Sequence, residues 1–177
     1  MVGDAAYVGE RLRDVDGRIS WTSRLKVTSV LHELPPPRTG RSGRPRTRGA
    51  RLGTPADVAA LATRANTWRS TQVRRYGRTD SVQITERVCL WYGSFRSRTV
   101  RVILVCDDNP RTRGGDDRGY GLPLVTTDLQ SSAEDLVARY ASRWESSRPS
   151  PMPARSSVWA RPVIGHGAPW NERCRSG

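Results

Sequence analysis

The chain has 177 residues, enough for one domain with a hydrophobic core, and carries a formal net charge of +13. Only 36% of the residues are hydrophobic, and the 16 glycines and 12 prolines predict that part of the chain is irregular. Of the 30 basic residues all but Lys26 are arginine, which indicates either a polyanionic partner such as nucleic acid or the arginine bias of a high-GC genome.

The cysteines and histidines exclude several kinds of site. Cys89, Cys106 and Cys174 are widely spaced, and no CxxC pair or Cys/His cluster occurs, so neither a structural zinc site nor a disulfide framework is supported. His32 and His166 are isolated, and neither is predicted to be catalytic. Because the apolar runs are too short for a membrane span or a signal peptide, we expect a cytoplasmic protein, associated with the nucleoid where it binds DNA.

Residues 1–34 are predicted to hold the end of a strand, a short helix and a second strand. VGDAAY begins with apolar residues, and YVGERLRDVDG suits a helix ending at Gly17. RISWTSRL alternates Ile19, Trp21 and Leu25 with polar residues, as a strand does.

Residues 35–53 form a cationic arm. PPPRTGRSGRPRTRGARLG carries six arginines and no acid, and its prolines and glycines predict an extended segment that does not pack. Two interpretations stay open, a solvated linker and an element that contacts DNA phosphates. The arginines predicted to bind DNA are Arg38, Arg41, Arg44, Arg46, Arg48 and Arg51.

Residues 54–119 predict a helix followed by a β-rich region. Thr54 can cap the helix, Pro55 suits its first turn and Asp57 completes a capping box. Strands are predicted in TQVRRYG, SVQITERVCLWYG and TVRVILVCDD, the last two joined by GSFRSR. The expected buried face of the helix consists of Val58, Leu61, Ala65 and Trp68.

The acidic loop DDNPRTRGGDDRG ends this region. Its paired acids suggest a metal site, but Asp, Asn, Pro and Gly also dominate ordinary turns. The acids in question are Asp107, Asp108, Asp116 and Asp117.

Residues 120–144 predict a strand and then a helix. YGLPLVTTDL has the apolar run of a strand, and SSAEDLVARYASRW is amphipathic, with Ser132 and Asp135 as its capping pair. From Glu145 to the last residue the periodicity is lost among Pro, Ser and Arg, so this tail is predicted to be disordered.

The order of these elements resembles the C-terminal half of insertion-sequence DDE transposases. The strings GDAAY, RISWTSRL and LVTTDL, followed by AEDLVARYASRW, are similar to the group with a Tyr-x2-Arg-x3-Glu-x6-Lys/Arg signature. The resemblance covers residues 2–144. It implies a ribonuclease-H-like core in which three carboxylates hold two Mg²⁺ or Mn²⁺ ions for metal-dependent DNA strand cleavage and transfer.

The family's functional residues transfer only in part. Asp4 matches the second catalytic acid and metal ligand, and Tyr140 and Arg143 match the first half of the signature. The signature then requires an acid at position 147 and a basic residue at position 154, where this chain has Ser147 and Ala154. The first catalytic acid has no counterpart.

A one-base frameshift after Trp144 accounts for the lost signature. With allowed codons for Glu145 to Arg155 and one restored base, translation gives an acid at position 147 and an arginine at position 154. Since only three residues precede Asp4, where a strand needs about five, we also expect that Met1 is an internal start codon. The sequence therefore predicts a truncated and frame-shifted transposase.

The predicted fold class is α/β, a partial ribonuclease-H-like core with an inserted antiparallel β region and a disordered C-terminal tail. Residues 1–34 and 120–144 are assigned to the core, 35–53 to the arm, 54–119 to the insertion and 145–177 to the tail. The resemblance implies transposon-end DNA and an intact transposase protomer as partners, with the chain itself inactive. The alternatives are a non-catalytic, basic DNA-binding protein derived from a transposase, and a non-functional pseudogene product.

Overall fold

A single mixed sheet carries the fold, with helices on both of its faces. The structure, a computed structural model, describes residues 1–3, 9–37, 44–107 and 119–145, and in these ranges it has eight strands, three α-helices and one 3-10 helix. Asp4, Arg38, Arg41, Asp108, Asp116, Asp117 and residues 146–177 lie outside the described residues.

The elements follow one another in an order close to that predicted. The strands are Val2–Gly3 (β1), Thr22–Arg24 (β2), Leu31–His32 (β3), Arg51–Gly53 (β4), Arg69–Arg75 (β5), Arg78–Leu90 (β6), Thr99–Asp107 (β7) and Leu122–Thr126 (β8). The α-helices are Pro55–Arg64 (α1), Tyr92–Phe95 (α2) and Ala133–Glu145 (α3), and the 3-10 helix spans Glu10–Asp14.

The sheet is mostly antiparallel. Its order is β1-β2-β8-β7-β6-β3-β4, and β5 pairs with β6 beside this path. Among the described strands only β1 and β2 run parallel, with Val2 opposite Thr22 and Gly3 opposite Ser23. The long strand β6 pairs with β7 along most of its length, with β5 near its start and with β3 at Leu90. One parallel pair at the edge makes the sheet mixed, and the helices packed on this sheet make the fold class mixed α/β.

The two faces of the sheet have separate apolar cores. Strand β7 supplies both, since Val102 and Leu104 point to one face and Ile103 and Val105 to the other, as the two-residue period of a strand requires. The first core lies under α1 and contains Trp21, Val58, Ala59, Trp91 and Phe95, among others. The second lies under α3 and contains Val73, Val82, Ile84, Leu136 and Tyr140.

Helix α1 begins where the capping box predicts. The Asp57 backbone N–H donates to the Thr54 hydroxyl at 3.4 Å, and the Asp57 carboxylate accepts from the Thr54 backbone N–H at 2.7 Å. The predicted buried face was partly wrong, because Leu61 is 46% exposed and Ala65 is also exposed, whereas Ala59 and Ala62 are buried. Small residues let the helix approach the sheet closely, and the large side chain of Leu61 lies on the solvent side.

The arm differs from its prediction at its C-terminal end. The segment was expected not to pack, but Arg51–Gly53 forms β4, with Leu31 opposite Gly53 and His32 opposite Arg51. Leu52 is buried in the first core, and this burial fixes the strand. Residues 44–50 have no regular secondary structure.

The N-terminal region is less regular than predicted. The expected helix is the short 3-10 helix Glu10–Asp14, and the strand spans only Thr22–Arg24. Trp21 and Leu25 are buried as the alternation requires, but Ile19 is 43% exposed because it precedes the strand. Within the described residues, none of the helices has the length and apolarity that crossing a bilayer requires.

Candidate nucleic-acid interface

The turn before α3 is organised by Asp128. Its carboxylate accepts hydrogen bonds from the backbone N–H groups of Ser131 at 2.9 Å and Gln130 at 3.0 Å, and from the Ser131 hydroxyl at 2.7 Å. These donors, those of Ser131 first, lower the pKa of Asp128 to about 2. The predicted capping pair follows directly, because the Asp135 N–H donates to the Ser132 hydroxyl at 3.1 Å.

An ion-pair network holds the start of α3 against the sheet. Arg69 on β5 binds Glu134 of α3 and, at 2.8 Å, Glu86 of β6. Arg101 on β7 lies 3.3 Å from Glu86 and donates to the Ser131 carbonyl. The bonds from Arg69 lower the pKa of Glu134 to about 2. The network fixes where the helix starts, and thereby where its matched signature residues lie.

The matched signature residues Tyr140 and Arg143 lie on α3, but their surroundings differ. Tyr140 is buried in the second core. The Arg143 guanidinium donates to the backbone carbonyl of Val2 in β1. Helix α3 therefore contacts β1, the strand that immediately precedes Asp4 in the sequence. Asp4 itself lies outside the described residues.

Four of the six predicted DNA-binding arginines lie in the described part of the arm. Arg44, Arg46, Arg48 and Arg51 are all exposed. The Gly49 N–H donates to the Glu33 carbonyl at 3.0 Å, so this end of the arm is fixed to the sheet. Exposed cations on a fixed backbone can contact a polyanion at a smaller entropic cost than cations on a flexible linker.

Tyr92, at the start of α2, is the arm's aromatic neighbour. The Arg48 guanidinium lies over its ring, 5.2 Å from the centroid. Tyr92 and residues 44–49 line an open cavity of about 440 Å³. The arginines also act on His32, whose pKa is lowered by burial first and then by Arg48 and Arg51. The cavity is thus lined by arginine side chains and one aromatic ring, a combination found in proteins that bind nucleic acids.

Sequence reasoning did not identify Tyr92 or Arg101 as part of these sites. Tyr92 was assigned to the end of a strand, and its contact with Arg48 arises only when the arm folds back. Arg101 occurs within an apolar run, where nothing in the local pattern shows that it is buried or bound to the Ser131 carbonyl. Both contacts join residues that are far apart in the sequence.

The described residues include no cluster of three His, Cys, Asp or Glu side chains that could hold a metal ion. Of the acids in the acidic loop only Asp107 is described, and it forms an ion pair with Arg75. A carboxylate already neutralised by a guanidinium is a poor cation ligand. The proposed metal ligand Asp4 and the loop's other acids lie outside the described residues.

No protein-family model, curated protein or solved structure matches this chain.

Proposed function

We propose that this chain is a fragment of a DDE transposase that binds DNA without cutting it. The observation that carries the proposal is the contact between Arg143 on α3 and the Val2 carbonyl on β1. The resemblance assigns a catalytic acid to the residue that follows β1 and the signature to α3. Such a site requires this strand and this helix to lie close together, and the contact between Arg143 and Val2 supports that arrangement.

The parallel pairing of β1 with β2 also supports the proposal. In the resemblance these two strands belong to the ribonuclease-H-like core, whereas the antiparallel strands β5, β6 and β7 belong to the insertion. Antiparallel pairing begins between β2 and β8, which both lie in segments assigned to the core, and continues through the insertion strands β7, β6 and β5. The assignment of a ribonuclease-H-like core to this region is part of the proposal.

The chain's residues do not fit the pair of metal ions that the family uses. Mg²⁺ or Mn²⁺ would activate the attacking oxygen and stabilise the leaving one, and this requires several carboxylates around two ions about 4 Å apart. Asp4 is the one matched acid, and Ser147 stands where the signature has its glutamate. A serine hydroxyl supplies neither the charge nor the ligand strength of a carboxylate.

Strand-cleavage assays test the catalytic part of the proposal. The purified chain, incubated with Mg²⁺ or Mn²⁺ and supercoiled or linear DNA, should give no nicking or strand transfer above the level of an Asp4→Ala variant. We expect the two proteins to give the same low background of DNA nicking. Cutting by the unaltered chain that disappears in the Asp4→Ala variant would contradict the proposal.

The arm supports the DNA-binding part of the proposal. Its four described arginines are exposed, and three of them, Arg44, Arg46 and Arg48, line a cavity together with Tyr92. This observation alone also favours the second candidate function, a non-catalytic DNA-binding protein derived from a transposase. The partners are then transposon-end DNA and, for the transposase fragment, an intact transposase protomer.

The salt dependence of DNA binding should change with the arm. Replacing Arg44 and Arg46 with Gln should reduce the slope of log K against log salt by about one unit for each phosphate that is no longer neutralised, because fewer counterions are released. The matched control replaces Arg18 and Arg64, two exposed arginines outside the arm. Fluorescence anisotropy with labelled duplex DNA at several salt concentrations measures both slopes. Equal slopes for the arm variant and the unaltered chain would remove the arm from the interface.

A further inference from the structure

The β5–β6 hairpin has a two-stranded end beyond the part of β6 that pairs with β7. Its register runs from Arg69 opposite Ile84 to Arg75 opposite Arg78. Pairing of β6 with β7 begins only at Val82, opposite Asp107. Within the described residues, the segment 72–81 is therefore a ribbon of two strands, and most of its side chains are exposed.

A tight turn closes the ribbon. Tyr76 and Gly77 have φ angles of 52° and 75°, the positive values at both central positions that define a type I′ turn. The twist of this turn matches the right-handed twist of the two strands that it joins. Tyr76 is 40% exposed there.

The two faces of the hairpin differ in composition. Val73, Val82 and Ile84 point to the core under α3. The alternate residues point away from α3 and face each other in three cross-strand pairs, Ser70 with Gln83, Gln72 with Ser81 and Arg74 with Thr79. We call these six residues the polar ladder. It contains no carboxylate and no apolar side chain.

The acids of the ribbon are confined to the opposite face. Asp80 lies 2.8 Å from Arg75 and 3.0 Å from Arg78, and Asp107 also binds Arg75. These contacts neutralise charge on the face shared with Val73. Arg74 has no ion pair among the described residues, so the ladder keeps one positive charge near the tip and no negative charge.

We propose that the β5–β6 hairpin enters the major groove of duplex DNA and contacts base edges with Gln72 and Arg74. A two-stranded ribbon fits the groove, which is about 12 Å wide. Gln pairs well with adenine, Arg with guanine, and Ser and Thr with either, so the ladder offers side chains suited to base recognition. A face without carboxylates enters the groove without repulsion from the phosphates. This inference rests on the proposed DNA binding and assigns base recognition to the hairpin, whereas the arm contacts phosphates.

The experiment compares three variants of the full chain with the unaltered chain. The ladder variant is Gln72→Ala with Arg74→Ala, the arm variant replaces Arg44, Arg46, Arg48 and Arg51 with Gln, and the control is Arg64→Ala. Unchanged far-UV circular dichroism and thermal midpoints show that the variants fold. Each protein is used to select binders from a random-sequence duplex library, and the affinities for the selected duplex, an unselected duplex and a single strand are then measured.

The unaltered chain should enrich a sequence, and the ladder variant should bind that sequence about tenfold more weakly, with little change on the unselected duplex. The arm variant should lose affinity for all duplexes while still preferring the same sequence. An unchanged preference and affinity in the ladder variant would overturn the hairpin's role and leave the proposed DNA binding intact. Equal losses on duplex and single strand would also overturn it. No binding of any duplex by the unaltered chain would overturn both proposals.

Discussion

At the scale of single residues, Asp128 shows how one carboxylate positions a helix. It accepts two backbone N–H bonds and one hydroxyl bond just before α3, and it is largely shielded from solvent. Arg139 lies 3.8 Å from it on the following turns of the helix. Since α3 carries Tyr140 and Arg143, the geometry of the candidate site depends on this turn.

Replacing Asp128 with Ala should lower the free energy of unfolding at neutral pH by about 1 kcal/mol, because three donors lose their acceptor. The pKa of Asp128 is lowered from 3.8 to about 2, so its stabilising charge is complete above pH 4 and is lost as the pH falls toward 2. Urea unfolding at neutral and acidic pH measures the difference, which should shrink with acid. Asp128→Asn, which keeps an acceptor oxygen without the charge, is the control. A loss that is the same at every pH would show that the charge does not contribute.

Residue roles that depend on local spacing could be predicted from the sequence, whereas those that depend on the fold could not. The pairs Thr54 with Asp57 and Ser132 with Asp135 were found because a capping box joins residues three positions apart. The spacing of Tyr140 and Arg143 was visible, but the partner of Arg143 is at the other end of the chain, on β1.

At the scale of elements, the β5–β6 turn allows the energetic cost of a backbone conformation to be measured separately from side-chain packing. Gly77 has a φ of 75°, and a Cβ added there would meet no atom within 4 Å. A substitution at Gly77 therefore changes the backbone energy without a steric clash.

Gly77→Ala should destabilise the protein by about 1 kcal/mol, since an L side chain disfavours positive φ. Gly93→Ala is the matched control, because a Cβ at Gly93 also meets no atom within 4 Å while its φ lies outside the left-handed region. The control should be neutral or slightly stabilising in α2. Chemical denaturation of both variants gives the comparison, and equal effects would contradict the assignment of a type I′ turn.

Elements with strong periodicity could be predicted, and elements made by tertiary contacts could not. Strand β7 and helix α3 match the predicted segments closely. Strands β5 and β6 and helix α1 overlap theirs, but α1 ends at Arg64 instead of Trp68, and the predicted strand TQVRRYG runs into the turn at Tyr76 and Gly77. Strand β4 was missed because its Gly- and Arg-rich sequence has no strand pattern, and burial of Leu52 decides its conformation. On α1, apolar spacing placed Leu61 in the core, where Ala59 and Ala62 actually pack.

At the scale of the whole molecule, one sheet joins the segments that the sequence separates. The sheet contains strands from residues 1–34, from the arm, from the β-rich region and from residues 120–144. Their order in the sheet differs from their order in the sequence. The mixed α/β class could be predicted from the order of the segments. The strand order could not, because β2 pairs with β8 and β3 with β4, and no local signal encodes partners that are distant in sequence.

The placement of Cys89 in the middle of this sheet has a practical consequence. Burial raises the pKa of its thiol to about 12, so the nucleophilic thiolate hardly exists while β6 stays paired. An alkylating reagent would modify Cys89 only in molecules whose central strands have separated. In a Cys106→Ala, Cys174→Ala background, the labelling rate would therefore report how readily these strands open in the native protein.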